Sequence, residues 1–300
     1  MLTKTKPALR GVFCASLTPV NADFTLHRQA FTAHCQKLLK DDLTGIALLG
    51  TTGEANSFSV TERQTILETA LEAGIDPSRL LPGTGVSSLA DSVTLTRHAA
   101  SLGVKTAIIL PPFYYKNVSD EGLYGFYSNI VERVADPDLQ IILYHIPQFS
   151  GVEISFGLIE SLLKKYPDTF IGVKDSSGDL DHMLEMVRLF PEFSVFSGAD
   201  PLMLPLLRKG GAGAITATTN IVGAELAFVF NNFDRPEAAA DILAAQARVV
   251  AARNEVSRFH QMASLKEILA RQTGLEVWRH MLPPLCALST AQREAILSPF

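Results

Sequence analysis

The stretch at residues 170–179 reads FIGVKDSSGD, an apolar run that closes on a single lysine, Lys174, before a polar turn. An uninterrupted apolar run is typical of a strand that is buried on both faces of a parallel sheet. The carboxyl end of such a strand is where α/β enzymes place their reactive groups. Lys174 is therefore the first candidate for a catalytic residue.

Lys174 has two interpretations on this stretch alone. Partial burial of an amine lowers its pKa and keeps a fraction of it neutral, as attack on a carbonyl carbon requires. The alternative is a solvated lysine that only caps the strand, which is the more common use of such a residue. The surrounding sequence decides between the two.

The apolar run before Lys174 is one of eight that alternate with helical patterns. Two of those helices begin at clear start signals, a capping box at Ser59–Glu62 and a cap at Asp179. Eight strand–helix units with apolar strands predict an α/β fold, a (β/α)8 TIM barrel, with an open doubly wound sheet as the alternative. The other seven runs lie at residues 11–17, 45–49, 80–83, 106–110, 140–144, 193–196 and 214–217.

The C-terminal quarter of the chain has no strand pattern. Its periodicity predicts added helices, one of them over residues 261–272 and ended by Gly274. Neither a linker nor a break in composition separates these helices from the barrel. We therefore expect a barrel over residues 1–225 and a C-terminal helical extension over residues 226–300, packed on the barrel as a single functional unit.

Composition excludes several classes of partner. The 300 residues carry a net charge of −5 and no basic run, which argues against nucleic acid and anionic membranes. No apolar window is long enough for a membrane span, and the N-terminus has no signal-peptide pattern. Cys14, Cys35 and Cys286 form neither a disulfide framework nor a zinc motif, so we expect a cytoplasmic protein with a small-molecule partner.

The turn GTTGE at residues 50–54 is the most informative of the strand ends. Gly50 and Gly53 allow close approach of the backbone, and successive NH groups with the hydroxyls of Thr51 and Thr52 can form a nest for a carboxylate. An ordinary tight turn is the alternative. A nest beside an amine suits a 2-oxo acid, whose carboxylate docks on the threonines while Lys174 attacks the adjacent ketone.

Tyr144 ends the strand before that of Lys174, so the two are neighbours if the strands run in order. A phenol there can shuttle protons during imine formation and carbon–carbon cleavage, and a core tyrosine is the alternative. Tyr114 and Tyr115 have the same two interpretations, while His145 suits a supporting role. Dinucleotide, P-loop, zinc-hydrolase and serine-hydrolase motifs do not occur in the chain, so we expect no cofactor and no metal.

Four turns in this order resemble the dihydrodipicolinate synthase / N-acetylneuraminate lyase family: GTTGE at 50–54, YHIP at 144–147, GVKD at 172–175 and SGAD at 197–200. The resemblance covers nearly the whole chain, including the helical tail. It implies a (β/α)8 barrel, usually a homotetramer built as a dimer of dimers. It also implies an enzyme that forms a Schiff base with pyruvate or another 2-oxo acid.

The resemblance also assigns roles to residues. Lys174 becomes the imine-forming lysine, Tyr144 the proton donor and acceptor, and Thr51 and Thr52 the cradle of the carboxylate. A tyrosine from the neighbouring subunit completes the proton relay, and the position of Tyr114 matches it better than that of Tyr115, its alternative.

Departures from the family pattern bear on the second substrate. Phe149 stands where the synthases place an arginine for the aldehyde carboxylate, and an apolar ring cannot replace a guanidinium. The sialic acid lyases usually place an Asp-Glu pair after strand seven and a serine near strand eight, both of which hold sugar hydroxyls. Here Asp200 is followed by Pro201, and Ala217 stands at the position of the serine. The pocket beyond the pyruvate end is therefore expected to offer Gln148, Phe149, Asp200 and Thr216.

These residues favour a class I aldolase or dehydratase that acts on a short 2-oxo acid, such as a 2-keto-3-deoxy sugar acid. One alternative is 4-hydroxy-tetrahydrodipicolinate synthase, which condenses pyruvate with aspartate semialdehyde. Another is a non-catalytic sensor of 2-oxo acids, which the presence of both Lys174 and Tyr144 disfavours.

Overall fold

Seven parallel strands form one sheet in the computed structural model, which describes residues 9–296. Their order in the sheet is β2-β1-β7-β6-β5-β4-β3, so neighbours in sequence are mostly neighbours in space. The strands are β1 Gly11–Ala15, β2 Gly45–Ala47, β3 Thr106–Ile109, β4 Gln140–His145, β5 Phe170–Asp175, β6 Ser194–Ser197 and β7 Gly213–Thr216.

The segment 80–84 closes the gap between β2 and β3. Leu81 N donates to Ile46 O at 2.9 Å on one side, and Thr84 N donates to Ile108 O at 3.0 Å on the other. The prediction of a regular strand here is wrong, because the segment forms only isolated bridges to its neighbours. Pro82 has no NH to donate and interrupts the ladder. The predicted TIM barrel is nevertheless confirmed, and the open sheet is excluded because both sheet edges meet at this segment.

Twelve α-helices lie between residues 9 and 296. The predicted start signals are confirmed: Ser59 and Glu62 form a capping box, and Asp179 accepts the NH of His182. The twelve helices of this part of the chain are α1 Arg28–Lys40, α2 Val60–Glu72, α3 Leu89–Ser101, α4 Asp120–Val134, α5 Pro147–Ser150, α6 Phe156–Lys165, α7 Leu180–Leu189, α8 Met203–Leu207, α9 Thr219–Asn232, α10 Ala239–Val256, α11 Gln261–Thr273 and α12 Thr290–Ala295. None of the helices in this part of the chain is long and apolar enough to cross a membrane.

The C-terminal helices share a hydrophobic core with the barrel. Trp278 is 1% exposed, and its ring meets that of His34 from α1 edge-on at 5.0 Å. Buried side chains of α10 and α11 belong to the same cluster as those of β1 and β2. The boundary predicted at residues 225/226 falls inside α9, and the two-part division stays a prediction.

Strands β4 and β5 set the geometry of the barrel mouth. Their register pairs Tyr144 with Lys174 and His145 with Asp175. Successive side chains of a strand point to opposite faces. Tyr144 belongs to the cluster inside the barrel, so Tyr144 and Lys174 face the barrel interior, while His145 and Asp175 face the layer of helices.

Candidate active site

Lys174 and Tyr144 lie together at the carboxyl ends of adjacent strands. The Lys174 Nζ is 4.1 Å from the centre of the Tyr144 ring, and each residue is only 5% exposed. Lys174 takes part in none of the salt bridges formed among residues 9–296. A buried amine without a fixed carboxylate partner is the arrangement expected of an imine-forming nucleophile.

Thr51 brings the GTTGE turn to the same place. Its Oγ1 and the Tyr144 hydroxyl share a hydrogen bond at 3.3 Å. Both residues and Lys174 line a cavity with about 450 Å³ of empty space, including solvent at its mouth. The structure therefore unites the three residues predicted to perform the chemistry.

The electrostatics of this group act on the Tyr144 phenol. Burial alone raises the pKa of Tyr144, but the positive charge of Lys174, the hydrogen bond with Thr51 and the nearby Ser176 hydroxyl lower it. The net result is a pKa below the ordinary value of a phenol. A phenol shifted in this direction is better matched to proton transfer near neutral pH.

The backbone of the GTTGE turn leaves two NH groups available. Gly53 N donates to Gly50 O and Glu54 N to Thr51 O, each at 3.1 Å. Within residues 9–296, the NH groups of Thr51 and Thr52 have no acceptor. A Cβ at Gly53 would lie 2.9 Å from Ser16 O, so the turn needs glycine there. Two NH groups without an acceptor, on the turn that carries Thr51 to the cavity, are compatible with the nest predicted for a carboxylate, which stays a prediction.

A second group of side chains lies on the opposite face of the same strands. His182 Nδ1 is 2.7 Å from Asp175 Oδ2, and the His182 ring stacks on that of His145 at 4.9 Å. The three residues are the one set in the described part of the chain that could hold a metal ion. Ser177 N and Oγ donate to Asp175 Oδ1, and Ile154 N donates to His145 Nδ1. Because these atoms have protein partners, the set suits a structural hydrogen-bond cluster.

The family model of the dihydrodipicolinate synthetase family matches residues 8–298. The chain belongs to this family. A DapA-like lyase of Chloroflexus aurantiacus is 34% identical over 292 residues, which cover 97% of this chain and 96% of that protein. The 4-hydroxy-tetrahydrodipicolinate synthase of Methanococcoides burtonii is 32% identical, over 76% of this chain and 77% of its own.

Solved structures agree with this membership. Dihydrodipicolinate synthase from Agrobacterium tumefaciens superposes with a TM-score of 0.86 and 30% identity, covering 95% of this chain and 96% of its own. The 2-keto-3-deoxygluconate aldolase of Sulfolobus solfataricus has the same fold, with a TM-score of 0.86 at 19% identity, covering 96% and 94% of the two chains. The predicted enzyme class, a lyase of the class I type that works through a Schiff base, is confirmed at the level of the family.

Tyr114 and Tyr115 do not join the cavity of their own chain. They are 75% and 74% exposed and meet edge-on at 5.3 Å on the loop before α4. Lys116 anchors this loop by donating from its Nζ to Ser150 O at 2.6 Å. Two exposed aromatic rings on an anchored loop are compatible with the predicted relay tyrosine of a dihydrodipicolinate synthetase family oligomer, which stays a prediction.

The residues predicted to bind the far end of the substrate are scattered. Phe149 is 67% exposed, and Gln148 Nε2 donates to Ser176 O at 2.7 Å, but neither side chain lines the cavity. Asp200 is fully buried: its Oδ2 accepts from Thr218 and lies 3.7 Å from Arg253 Nη1 on α10. Thr216 is also buried, at 1% exposure. Neither of these two lines the cavity, and their predicted contact with substrate remains untested.

Two residues of the site were not anticipated from the sequence. Ser176 lies two residues after Lys174, directly after the end of β5, and its hydroxyl helps to lower the pKa of Tyr144. Arg63 of α2 lines the cavity at 2% exposure, donates from Nη2 to Gly83 O at 2.7 Å, and has a pKa lowered to about 10 by burial. The position of Arg63 inside a helical pattern offered no signal, whereas the hydroxyl of Ser176, in the polar turn that follows Lys174, offered a weak one.

Proposed function

We propose that this member of the family is an aldolase or dehydratase that acts on a short 2-oxo acid of the 2-keto-3-deoxy sugar acid type. The observation that carries the proposal is the grouping of Lys174, Tyr144 and Thr51 around one cavity, with unpaired NH groups beside them. The NH groups of Thr51 and Thr52 hold the substrate carboxylate, which places the ketone at Lys174.

The chemistry follows from these positions. The neutral amine of Lys174 attacks the C2 ketone, and loss of water from the resulting carbinolamine leaves an imine. In an aldolase, Tyr144 accepts the proton of the C4 hydroxyl while the C3–C4 bond breaks, releasing an aldehyde and leaving the enamine of pyruvate. Protonation of the enamine and hydrolysis then free pyruvate and Lys174. In a dehydratase, the same imine makes the C3 proton acidic, and loss of this proton and of the C4 hydroxyl releases one molecule of water.

Phe149 and Gln148, on the segment that follows Tyr144, favour an uncharged second half of the substrate. Phe149 occupies the place where the synthases carry an arginine, and its ring is 67% exposed rather than buried. An exposed phenyl ring cannot pair with the carboxylate of aspartate semialdehyde. A short polyol or alkyl chain is compatible with Phe149 and Gln148.

The second candidate is 4-hydroxy-tetrahydrodipicolinate synthase, the activity for which several relatives are named. A coupled assay with pyruvate and aspartate semialdehyde separates the candidates directly. If this is the true reaction, Phe149→Arg raises its rate. If the enzyme acts on a keto-deoxy acid, the substitution lowers turnover of that acid and creates no synthase.

We further propose a cytoplasmic homotetramer in which Tyr114 enters the cavity of a neighbouring subunit. Support comes from the exposure of the Tyr114 and Tyr115 rings and from the free thiols of Cys14, Cys35 and Cys286, which suit a reducing compartment. Analytical ultracentrifugation tests the assembly. Tyr114→Phe and Tyr115→Phe then distinguish the relay residue, since only one of the two is expected to lower turnover.

Borohydride trapping tests the mechanism. Pyruvate with borohydride is expected to add a reduced adduct to the peptide that contains Lys174, and Lys174→Ala abolishes it. A wild-type protein that gains no mass on this peptide contradicts the proposal. A screen of short 2-keto-3-deoxy acids for pyruvate release then identifies the substrate.

A further inference from the structure

Lys266 of the C-terminal helix α11 reaches the edge of the active-site turn. The residue is fully buried, and its Nζ forms an ion pair with the carboxylate of Glu54, the last residue of the GTTGE turn. Lys266 Nζ also donates to His280 O at 2.8 Å. The second oxygen of Glu54 accepts from Leu282 N at 2.8 Å. Both partners of Glu54 therefore come from the extension that follows the barrel.

Glu54 determines the shape of the turn. Its φ of 57° lies in the left-handed region, which residues other than glycine rarely adopt. In this conformation Glu54 N donates to Thr51 O, and within residues 9–296 the NH groups of Thr51 and Thr52 have no acceptor. On its other side, the turn is held by Thr18 Oγ1, which donates to Gly53 O at 3.0 Å. The backbone of the nest is thus fixed between the loop that follows β1 and the extension.

We propose that Lys266 and Glu54 are positioning residues for the carboxylate of the 2-oxo acid. Through this ion pair, α11 holds Glu54 in its left-handed conformation and keeps the NH groups of Thr51 and Thr52 aimed at the carboxylate. The inference rests on the proposed function, because it assigns a purpose to the nest only if a 2-oxo acid binds there. Neither Lys266 nor Glu54 touches the substrate.

Stability alone is a poor explanation for this pair. Taking two charges out of water is costly, and well-packed apolar residues of the same volume are often as stable as a buried ion pair or more so. An apolar pair, however, could not form the two directed contacts that the Glu54 carboxylate makes with Lys266 and with Leu282 N. What the ion pair provides over an apolar contact is a fixed direction for the end of the turn.

The adjacent residue provides a matched control. Glu267 follows Lys266 on α11, is 3% exposed, and pairs with Arg271 and Arg279 within the extension. Glu267→Gln therefore breaks a buried ion pair of the same helix without touching the nest. A role limited to the stability of the extension predicts the same behaviour for Glu267→Gln and Lys266→Met.

The test compares thermal unfolding with the pyruvate concentration that gives half-maximal borohydride trapping. We expect Lys266→Met to lower the melting temperature and raise the half-maximal concentration at least about fivefold. The double variant Glu54→Gln/Lys266→Met buries no unpaired charge, so it recovers melting temperature while the half-maximal concentration stays high. Lys266→Arg keeps the charge and partly restores binding. Glu267→Gln lowers the melting temperature and leaves the half-maximal concentration at the wild-type value.

The failure of the proposed function and the failure of the positioning role of Lys266 and Glu54 would give different results. No adduct in the wild-type protein overturns the proposed function, and the inference with it. An adduct in the wild type, with an unchanged half-maximal concentration in the folded double variant, overturns the inference alone. An equal rise in Glu267→Gln also overturns it, because any weakening of the extension would then have the same effect.

Discussion

Tyr144 and Lys174 lie one residue away from His145 and Asp175 on the same two strands, and each pair is in register across β4 and β5. Burial does not separate the two pairs, since none of the four side chains is more than 5% exposed. Their partners do. The inward pair faces a cavity with an amine that forms no salt bridge to any residue from 9 to 296, whereas the outward pair is held by Ser177, Ile154 and His182.

Under the proposed mechanism, one strand end supplies both a reactive group and a rigid support. The inward groups can still bind a substrate, whereas the outward groups use their hydrogen bonds to fix the strand ends against α7. Alternation along a strand makes the division possible within two consecutive residues. The predictions below test whether activity and stability separate in the same way.

The largest effect is expected for Lys174→Met. The variant removes the nucleophile and leaves an apolar side chain of similar length, so turnover falls by on the order of 10⁴-fold or more while the fold is kept. Steady-state assays and urea unfolding measure the two quantities. Residual activity within tenfold of the wild type would show that another residue forms the imine.

Tyr144→Phe is expected to lower turnover by roughly 10²- to 10⁴-fold, the usual contribution of a general acid–base group. The ring remains to support Lys174, so borohydride still traps the pyruvate adduct, only more slowly. Single-turnover trapping rates measure the loss. A variant with normal turnover would assign the proton transfer to another group.

Asp175→Asn tests the outward pair. Asparagine cannot accept the same set of donors, and loss of hydrogen bonds to a buried charge costs roughly 1.5–3 kcal/mol of unfolding free energy. Turnover is expected to change by less than about tenfold, or about 1.4 kcal/mol in the barrier. Urea unfolding and steady-state kinetics on the same preparation check both numbers. A reversed pattern, with stability kept and turnover lost, would place Asp175 in the chemistry.

Thr51→Val is expected to lower turnover by roughly tenfold, the value of about one hydrogen bond. The bond to Thr51 lowers the pKa of Tyr144, so its removal moves the phenol back toward its ordinary value. The limb of the kcat/KM profile that reports Tyr144 therefore shifts to higher pH in the variant. Thr51→Ser serves as the control, because it retains the hydroxyl and is expected to keep the wild-type profile.

The smallest effect is expected for His182→Gln, and it depends on pH. The hydrogen bond to Asp175 raises the pKa of His182 above 6.5. A raised pKa in the folded state contributes stability that is fully present below about pH 6.5 and is lost as the pH rises through the raised pKa. The difference in unfolding free energy between wild type and variant, roughly 1 kcal/mol at pH 6, should shrink toward pH 9. A difference that is constant from pH 6 to 9 would contradict this assignment.

Much of the barrel was accessible from local patterns. Seven of the eight apolar runs form strands, and the caps at Ser59 and Asp179 start helices as predicted. The run at 80–83 lies in its expected place but is not a regular strand, because Pro82 breaks the ladder. Apolar periodicity records burial, and it does not record how many backbone bonds a short segment completes.

The candidate site was also accessible from the sequence only in part. Lys174, Tyr144 and Thr51 were found because each follows an apolar run, and parallel strands bring their carboxyl ends to one edge of the barrel. Asp200 also follows such a run, yet its side chain is buried against Thr218 and Arg253. A position at a strand end predicts nearness to the cavity, but the direction of the side chain depends on what packs around it.

The sequence by itself determined the family and the barrel, and it pointed to Lys174 as the candidate reactive lysine, because these depend on residue type, spacing and the two-residue period of strands. Only the tertiary structure decided which groups act on one another. The 4.1 Å approach of Lys174 to the Tyr144 ring depends on the register of two strands. The contact between Glu54 and Lys266 spans 212 residues of sequence. Neither partner of such a contact carries a local signal of the other, since the contact forms only when the extension packs on the barrel.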